Sequence, residues 1–216
     1  EELVQSKEEL QGLYDMSVLI NQTLDLERVL PIALEKALIF TGFEKGTVHL
    51  ISNDGENLEL KSNQGFSPAF IEHVKMMKYG EGVAGKVITS RKPAIFPVSE
   101  YPSPRILPFL RDEGVQLTVG IPLLAKGNAI GAMTLSSQSI RTLTQREIRL
   151  LESIGNQIGL ALENARLFSN VAKAKSEWET TFNAVTDLIT IRDKDYRIIR
   201  ANKAVFERFG MTPEQM

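Results

Sequence analysis

The stretch VQLTVGIPLLAKGNAIGAMTLS, residues 115–136, decides the fold. Val115 to Leu124 reads as a strand and Ala129 to Ser136 as its partner. Ala125-Lys126-Gly127-Asn128 between them is a turn, so the two make a hairpin. Strand side chains alternate. Val119, Ile121 and Leu123 therefore share one face, and Met133 and Leu135 share one face of the partner strand.

Moving back along the chain, residues 97–114 form a loop punctuated by Pro97, Pro102, Pro104 and Pro108. One turn of helix fits around Ile106, Phe109 and Leu110. A loop of this length in a compact domain serves as a lid or binding element. Pro93 to Val98 reads as an edge strand and Gly82 to Ser90 as a short amphipathic segment. Ser67-Pro68 offers an N-cap and a first-turn proline. Phe70, Ile71, Val74 and Met77 keep helical spacing from there to Gly80. Thr47 to Ile51 is a strand, Asn53-Asp54-Gly55 a hairpin turn, and Leu58 and Leu60 alternate on the return strand. Asp25 is placed to cap a helix carrying Val29, Leu30, Ala33, Leu34, Ala37 and Leu38 on one face, with Pro31 early in it. Before that, Leu3, Ser6, Leu10, Leu13, Ser17, Ile20 and Leu24 form a heptad seam interrupted by two serines.

Moving forward, Thr144-Gln145-Arg146-Glu147 is a capping box, with Leu143 and Ile148 placed to staple it. Leu151, Ile154, Ile158, Ala161, Ala165, Phe168 and Ala172 then run at 4-3 spacing with no breaker. The helix reaches about 35 residues, roughly 50 Å, longer than a single small domain needs. Asp187 to Ile191 and Arg197 to Arg200 read as strands around an Asp193-Lys194-Asp195 turn. Ala204 to Phe209 is a short helix closed by Gly210.

Composition limits the chemistry. The 216 residues contain no cysteine, which excludes disulfides, cysteine zinc sites, thiol catalysis and thioether attachment of a chromophore. A formal net charge of −2 is not that of a general nucleic-acid binder. No run approaches a membrane span, and the first residues do not resemble a secretion signal. A cytoplasmic module cut from a longer protein is expected, with no membrane contact from this piece. In that setting the Asn21-Gln22-Thr23 sequon stays unused.

Gly80-Glu81-Gly82-Val83-Ala84-Gly85 spells G-x-G-x-x-G. The dinucleotide fingerprint needs a buried strand before it, whereas a helix-period segment precedes it here. The glycines read instead as a helix stop and a tight start to the next turn. The chain has two histidines, too few for an ordinary metal site. One suffices for a haem, and His49, mid-strand, is better placed for that than His73. The plainer alternative is a satisfied strand histidine and a surface histidine. No nucleophile elbow, P-loop or phosphoacceptor helix is present, so no catalytic residues and no cofactor are expected. Arg105 and Arg111 in the proline loop read either as clamps for an anionic ligand or as solvated loop charges.

The segments LDLERVLPIALEKA (24–37), GEGVAGKVITSRKPAIF (80–96), VGIPLLAKGNAIGAMTL (119–135) and LTQREIRLLESIGNQIGLALENARLF (143–168) together resemble the GAF family of small-molecule-sensing domains. EWETTFNAVTDLITIRDKDYRIIRANKAVFERFGMTPEQM (177–216) resembles the first part of a PAS domain. The resemblance implies an α+β fold: an antiparallel sheet packed on N- and C-terminal helices, a long signalling helix, then the start of a PAS-like α/β module. It divides the chain into a coiled-coil-like helix (1–22), a GAF-like domain (23–170), a helical linker (171–182) and a truncated PAS-like segment (183–216).

Bilin, cyclic-GMP and sulfoxide-reductase GAF subgroups carry residues that this chain lacks. The resemblance therefore implies a non-catalytic sensory module with an unassigned ligand, in a two-component sensor histidine kinase or related regulator. A homodimer through the terminal helices, with PAS and output domains downstream, is expected. The expected pocket residues are Val83, Val87, Phe96, Tyr101, Arg105, Phe109, Val119, Ile121 and Met133. The rival readings are a ligand-free dimerisation module and a haem or redox sensor through His49.

Overall fold

A computed structural model of the chain describes residues 26–212, in two compact units that meet in sequence at Ala165 and Arg166. The seam expected over residues 3–24 and the cap at Asp25 lie outside the described residues.

Helix α1 (Leu26–Thr41) opens the first unit. Val29, Leu30, Ala33, Leu34, Ala37 and Leu38 are all buried, so the face read from the sequence is the one that packs. Strands β1 (Lys45–Ile51) and β2 (Asn57–Gln64) follow as a hairpin. Its turn is tied by the Asp54 carboxylate, which accepts from the Ser52 hydroxyl and from the Glu56 amide at 2.9 Å. Ser67 caps α2 (Pro68–Val74), accepting from the Phe70 amide at 3.2 Å.

The helix expected to run on to Gly80 stops at Val74. Residues Met76–Lys78 form strand β3 along the outer edge of β2 instead. The edge of β2 still has free backbone groups there, and the segment satisfies them: the Leu60 amide donates to the Lys75 carbonyl at 3.0 Å and Tyr79 to that of Glu56 at 2.9 Å. Then come α3 (Gly82–Ser90), β4 (Ala94–Pro97), a 3-10 turn at Val98–Glu100 and α4 (Leu107–Asp112). Strands β5 (Leu117–Ala125) and β6 (Asn128–Ser137) form the long hairpin, turning through Lys126 and Gly127, both at positive φ.

The six strands make one antiparallel sheet in the order β3-β2-β1-β6-β5-β4, which leaves β4 at an edge as expected. Its two faces bury different cores. On one, Val48, Val119, Ile121, Leu123, Met133 and Leu135 pack with α1 and with Leu151, Ile154, Ile158 and Leu162. These last lie on α5 (Gln145–Ala184). On the other, Leu58, Phe70, Met77, Val83, Val87, Ile106, Leu110 and Ala132 pack beneath α2, α3 and α4.

The capping box that starts α5 is reciprocal. Glu147's amide donates to the Thr144 hydroxyl at 3.2 Å, and Thr144's amide donates to the Glu147 carboxylate at 2.7 Å. Gly155 and Gly159 let α5 lie directly on β5. A Cβ at Gly155 would meet the Pro122 carbonyl at 2.7 Å, and one at Gly159 the Leu124 carbonyl at 2.2 Å.

The second unit contains α5 from Arg166 onward, the hairpin β7 (Thr190–Arg192) and β8 (Ile198–Ala201), and α6 (Lys203–Phe209). Asp193 ties the hairpin turn, accepting from the amides of Asp195 and Arg197, both at 2.9 Å. Asn202 opens α6, but its side chain works elsewhere. Its amide donates to the carbonyls of Val185 (2.9 Å) and Asp187 (2.8 Å) and accepts from Ile189 (3.1 Å). The strand expected from Asp187 begins only at Thr190, and the Asn202 side chain takes up the Ile189 amide and the Val185 and Asp187 carbonyls before it. Among the described residues no helix is long and apolar enough to cross a membrane.

Candidate functional site

The lid loop is held near its middle and at its C-terminal end. Near the middle Arg105 grips Glu81, just before α3: its Nε donates at 2.7 Å and its Nη2 at 3.1 Å. The Arg105 Nη1 donates to the His73 carbonyl at 2.9 Å, and Ser103 adds a bond to Glu81 at 3.0 Å. The Arg105 hydrogen bond holds the Glu81 carboxyl below its usual range. The His73 ring stacks on Phe109 with centroids 3.5 Å apart. At the C-terminal end Lys45 on β1 bonds Glu113, whose carboxylate also accepts from the Ser67 amide at 3.1 Å. Burial alone would raise the Glu113 carboxyl, but its bonds to Lys45 and Ser67 outweigh burial and lower it.

Between these clamps lies a cavity of about 20 Å³. Its floor is the lid-side face of the sheet: Thr47 and His49 on β1, Thr118 on β5, Thr134 and Ser136 on β6. Phe66, Phe70, Val74, Met77, Ala84, Tyr101 and Leu110 close it from above. The floor hydroxyls pair across strands, Thr47 with Thr134 at 2.6 Å and Thr118 with Ser136 at 3.2 Å. His49 is 2% exposed, and its Nε2 donates to the Val74 carbonyl at 2.8 Å. Burial pushes its pKa down to about 4, so the ring is neutral at pH 7. Burial likewise pushes the Tyr101 phenol up to about 12.

The sequence-expected wall is corrected in several places. Tyr101 lines the cavity, but Val119, Ile121 and Met133 belong to the opposite, helix-facing core. Alternation grouped Val119 with Ile121 and, on the partner strand, Met133 with Leu135; the register puts both pairs on the face that α1 and α5 cover. Val83 and Val87 are on the lid side but press on Gly120, where a Cβ would meet them at 2.6 and 2.7 Å. Phe96 packs at the rim of the lid-side core, and Phe109 is engaged with His73. Arg105 does not line the cavity, and three of its five N–H donors are bonded to Glu81 and to the His73 carbonyl, so it clamps the lid to the protein. Sequence reading missed Thr47, Thr118, Thr134 and Ser136. Their signal was present: each alternates with a buried apolar neighbour.

The G-x-G-x-x-G glycines are steric. A Cβ on Gly85 would lie 2.1 Å from the Gly80 backbone, and Gly80 and Gly82 have φ of +84° and +65°. Haem does not fit beside His49. The Nε2 proton is engaged by Val74, and 20 Å³ has room for about one water. Among the described residues no cluster of three acidic or histidine side chains could hold a metal ion.

A two-faced antiparallel sheet, with helices on one side and a lidded cavity on the other, is the architecture this chain shares with solved GAF domains. Residues 23–163 match the GAF domain family, and the chain belongs to it. Family members of this kind serve as sensory and regulatory modules in signalling proteins. The chain is 27% identical over 179 residues to the Nif-specific regulatory protein of Azospirillum brasilense, covering 77% of this chain and 27% of that protein. It thus spans about a quarter of that relative's length. Among solved structures, the GAF domain of a phosphoenolpyruvate-protein phosphotransferase from Coxiella burnetii superposes with a TM-score of 0.63 at 16% identity, covering 75% of this chain and 96% of that one. A domain from Sinorhizobium meliloti 1021, described as part of a two-component sensor histidine kinase, gives 0.56 at 17% identity, covering 66% and 93%. At such identities the likeness is one of fold.

Proposed function

We propose that this chain is the sensing part of a signal-transduction protein and that its GAF domain binds a small molecule in the cavity under the lid. The observation that carries this is the buried polar floor: hydroxyls and a neutral imidazole enclosed beneath a lid clamped at Arg105 and at Glu113. A sheet face needed only for packing would be apolar, as the opposite face is.

Strand β6 links the two faces. Thr134 and Ser136 face the cavity, while Met133 and Leu135 face the helix-side core. A ligand that prefers one packing of the floor biases the helix layer by that difference in affinity. Helix α5 continues beyond the first unit and would carry the bias onward, in a homodimer, to a PAS-like segment at residues 183–216 and an output domain. A two-component sensor histidine kinase is the parent we favour. A regulator of the kind found in Azospirillum brasilense is the second reading, supported by the 27% identity.

A metabolite-library thermal-shift screen on the whole chain tests the sensory reading. At least one compound is expected to raise the melting temperature of the wild type and to lose most of that effect in Thr134→Val. If no compound does so, the domain is a ligand-free dimerisation module.

A further inference from the structure

The cavity floor is polar but carries no charge. Four hydroxyls face it, joined in two pairs; each pair bond uses one of its two O–H donors and leaves hydrogen-bonding capacity for a guest. His49 is different. Its Nε2 bonds a carbonyl, which can only accept, so Nε2 holds the proton and Nδ1 keeps a bare lone pair. That Nδ1 is buried and has no hydrogen-bond partner. A buried acceptor left in this state favours any guest that can donate to it.

The charged groups holding the lid are committed elsewhere. Arg105 is taken by Glu81 and the His73 carbonyl, and Lys45 by Glu113. A carboxylate, phosphate or ammonium guest would leave water without meeting a counter-ion, which is strongly unfavourable. The walls Phe66, Phe70, Val74, Met77 and Leu110 favour an apolar body. The cavity has room for about one water, so a larger guest requires wall side chains such as Val74, Met77 and Leu110 to shift.

Resting on the sensory reading above, we propose that the cavity selects a small uncharged molecule that donates one hydrogen bond, from an amide or hydroxyl, to His49 Nδ1. Its other polar atoms meet the hydroxyls of Thr47 and Thr134, and its carbon skeleton lies against Phe70 and Met77. The site thereby excludes the anions that a lid arginine would have selected.

Whole chain labelled with ¹⁵N-histidine is titrated with acetamide, acetate and ethylammonium at matched ionic strength, following the His49 Nδ1 resonance. His73→Gln assigns the signal. Acetamide is expected to move it saturably toward the hydrogen-bonded position, with a Kd at least tenfold below those of acetate and ethylammonium. Thr134→Val and Thr47→Val should each weaken the acetamide response several-fold. An equal or stronger response to acetate overturns the uncharged class and leaves a sensing cavity in place. An acetamide response that neither variant alters means binding outside the cavity and overturns the proposal. No response to any probe means water only and also overturns it, leaving the sensory reading to the library screen.

Discussion

His49 is buried, and its burial is what keeps it neutral. Its pKa falls from an ordinary 6.5 to about 4 because burial disfavours the imidazolium. In the unfolded chain the same ring takes up a proton near pH 6.5. Between these values the unfolded state binds more protons, so stability falls as pH drops from about 6.5 toward 4. The full effect is of order 3 kcal/mol. Below about 4.5 the paired carboxylates of Glu81, Glu113 and Glu147, all held below their usual range, add a further loss of the same sign. His49→Gln keeps a donor for the Val74 carbonyl and removes the titrating ring. Urea unfolding at pH 7.0 and 5.0 should show the wild type losing on the order of 1–3 kcal/mol and His49→Gln losing clearly less. Equal losses would place the pH sensitivity outside His49.

At the scale of elements, α5 lies close on β5 at Gly155 and Gly159. Alanine is the better helix former than glycine by up to about 1 kcal/mol. A Cβ at position 159 would nevertheless lie 2.2 Å from the Leu124 carbonyl oxygen, and backbone cannot swing aside as a side chain can. Overpacking dominates, and Gly159→Ala should lower stability by about 2 kcal/mol in circular-dichroism denaturation. A neutral or stabilising result would mean that α5 stands off the sheet. The sequence analysis read α5 correctly in existence, start and approximate length, because a capping box and a 4-3 repeat are local signals. It also placed the buried face of α1 and both turns of the first unit. It placed β5 and β6 correctly as a hairpin of the sheet but turned Val119, Ile121 and Met133 toward the pocket, whereas they face the helices. Period two groups Val119 with Ile121 and Met133 with Leu135 but does not show which neighbour covers them. The helices claimed that face because they present wholly apolar stripes. The hydroxyl face went to the lid, where Thr47 opposes Thr134 and Thr118 opposes Ser136 in register. Arg105 was misread for a related reason: its partner Glu81 is 24 residues away, and no local pattern marks such a pair.

For the whole molecule, assembly turns on which stripe of α5 is free. The sequence suggested a dimer seam beginning at Leu151, Ile154 and Ile158. Those side chains are fully buried in the helix-side core of the first unit, so they cannot also meet a second copy. Further along, Leu167, Val171 and Trp178 keep heptad-compatible spacing, and Val171 is 69% exposed. The pairs Lys173–Glu177 and Lys175–Glu179 lie among them, as charges flank a coiled-coil seam. A stripe of this kind is stabilised when it packs against its own copy, so the expected dimer uses the later stripe. Leu167→Glu with Val171→Glu should give monomers in light scattering and leave the melting of the first unit unchanged. Trp178 is the single tryptophan of the chain, so its emission should shift to the red as the seam opens. Ile158→Glu should instead put a carboxylate into the core and lose the fold before it changes the assembly. If the wild type is monomeric, or if the double variant dimerises as well as the wild type, this stripe is not the seam.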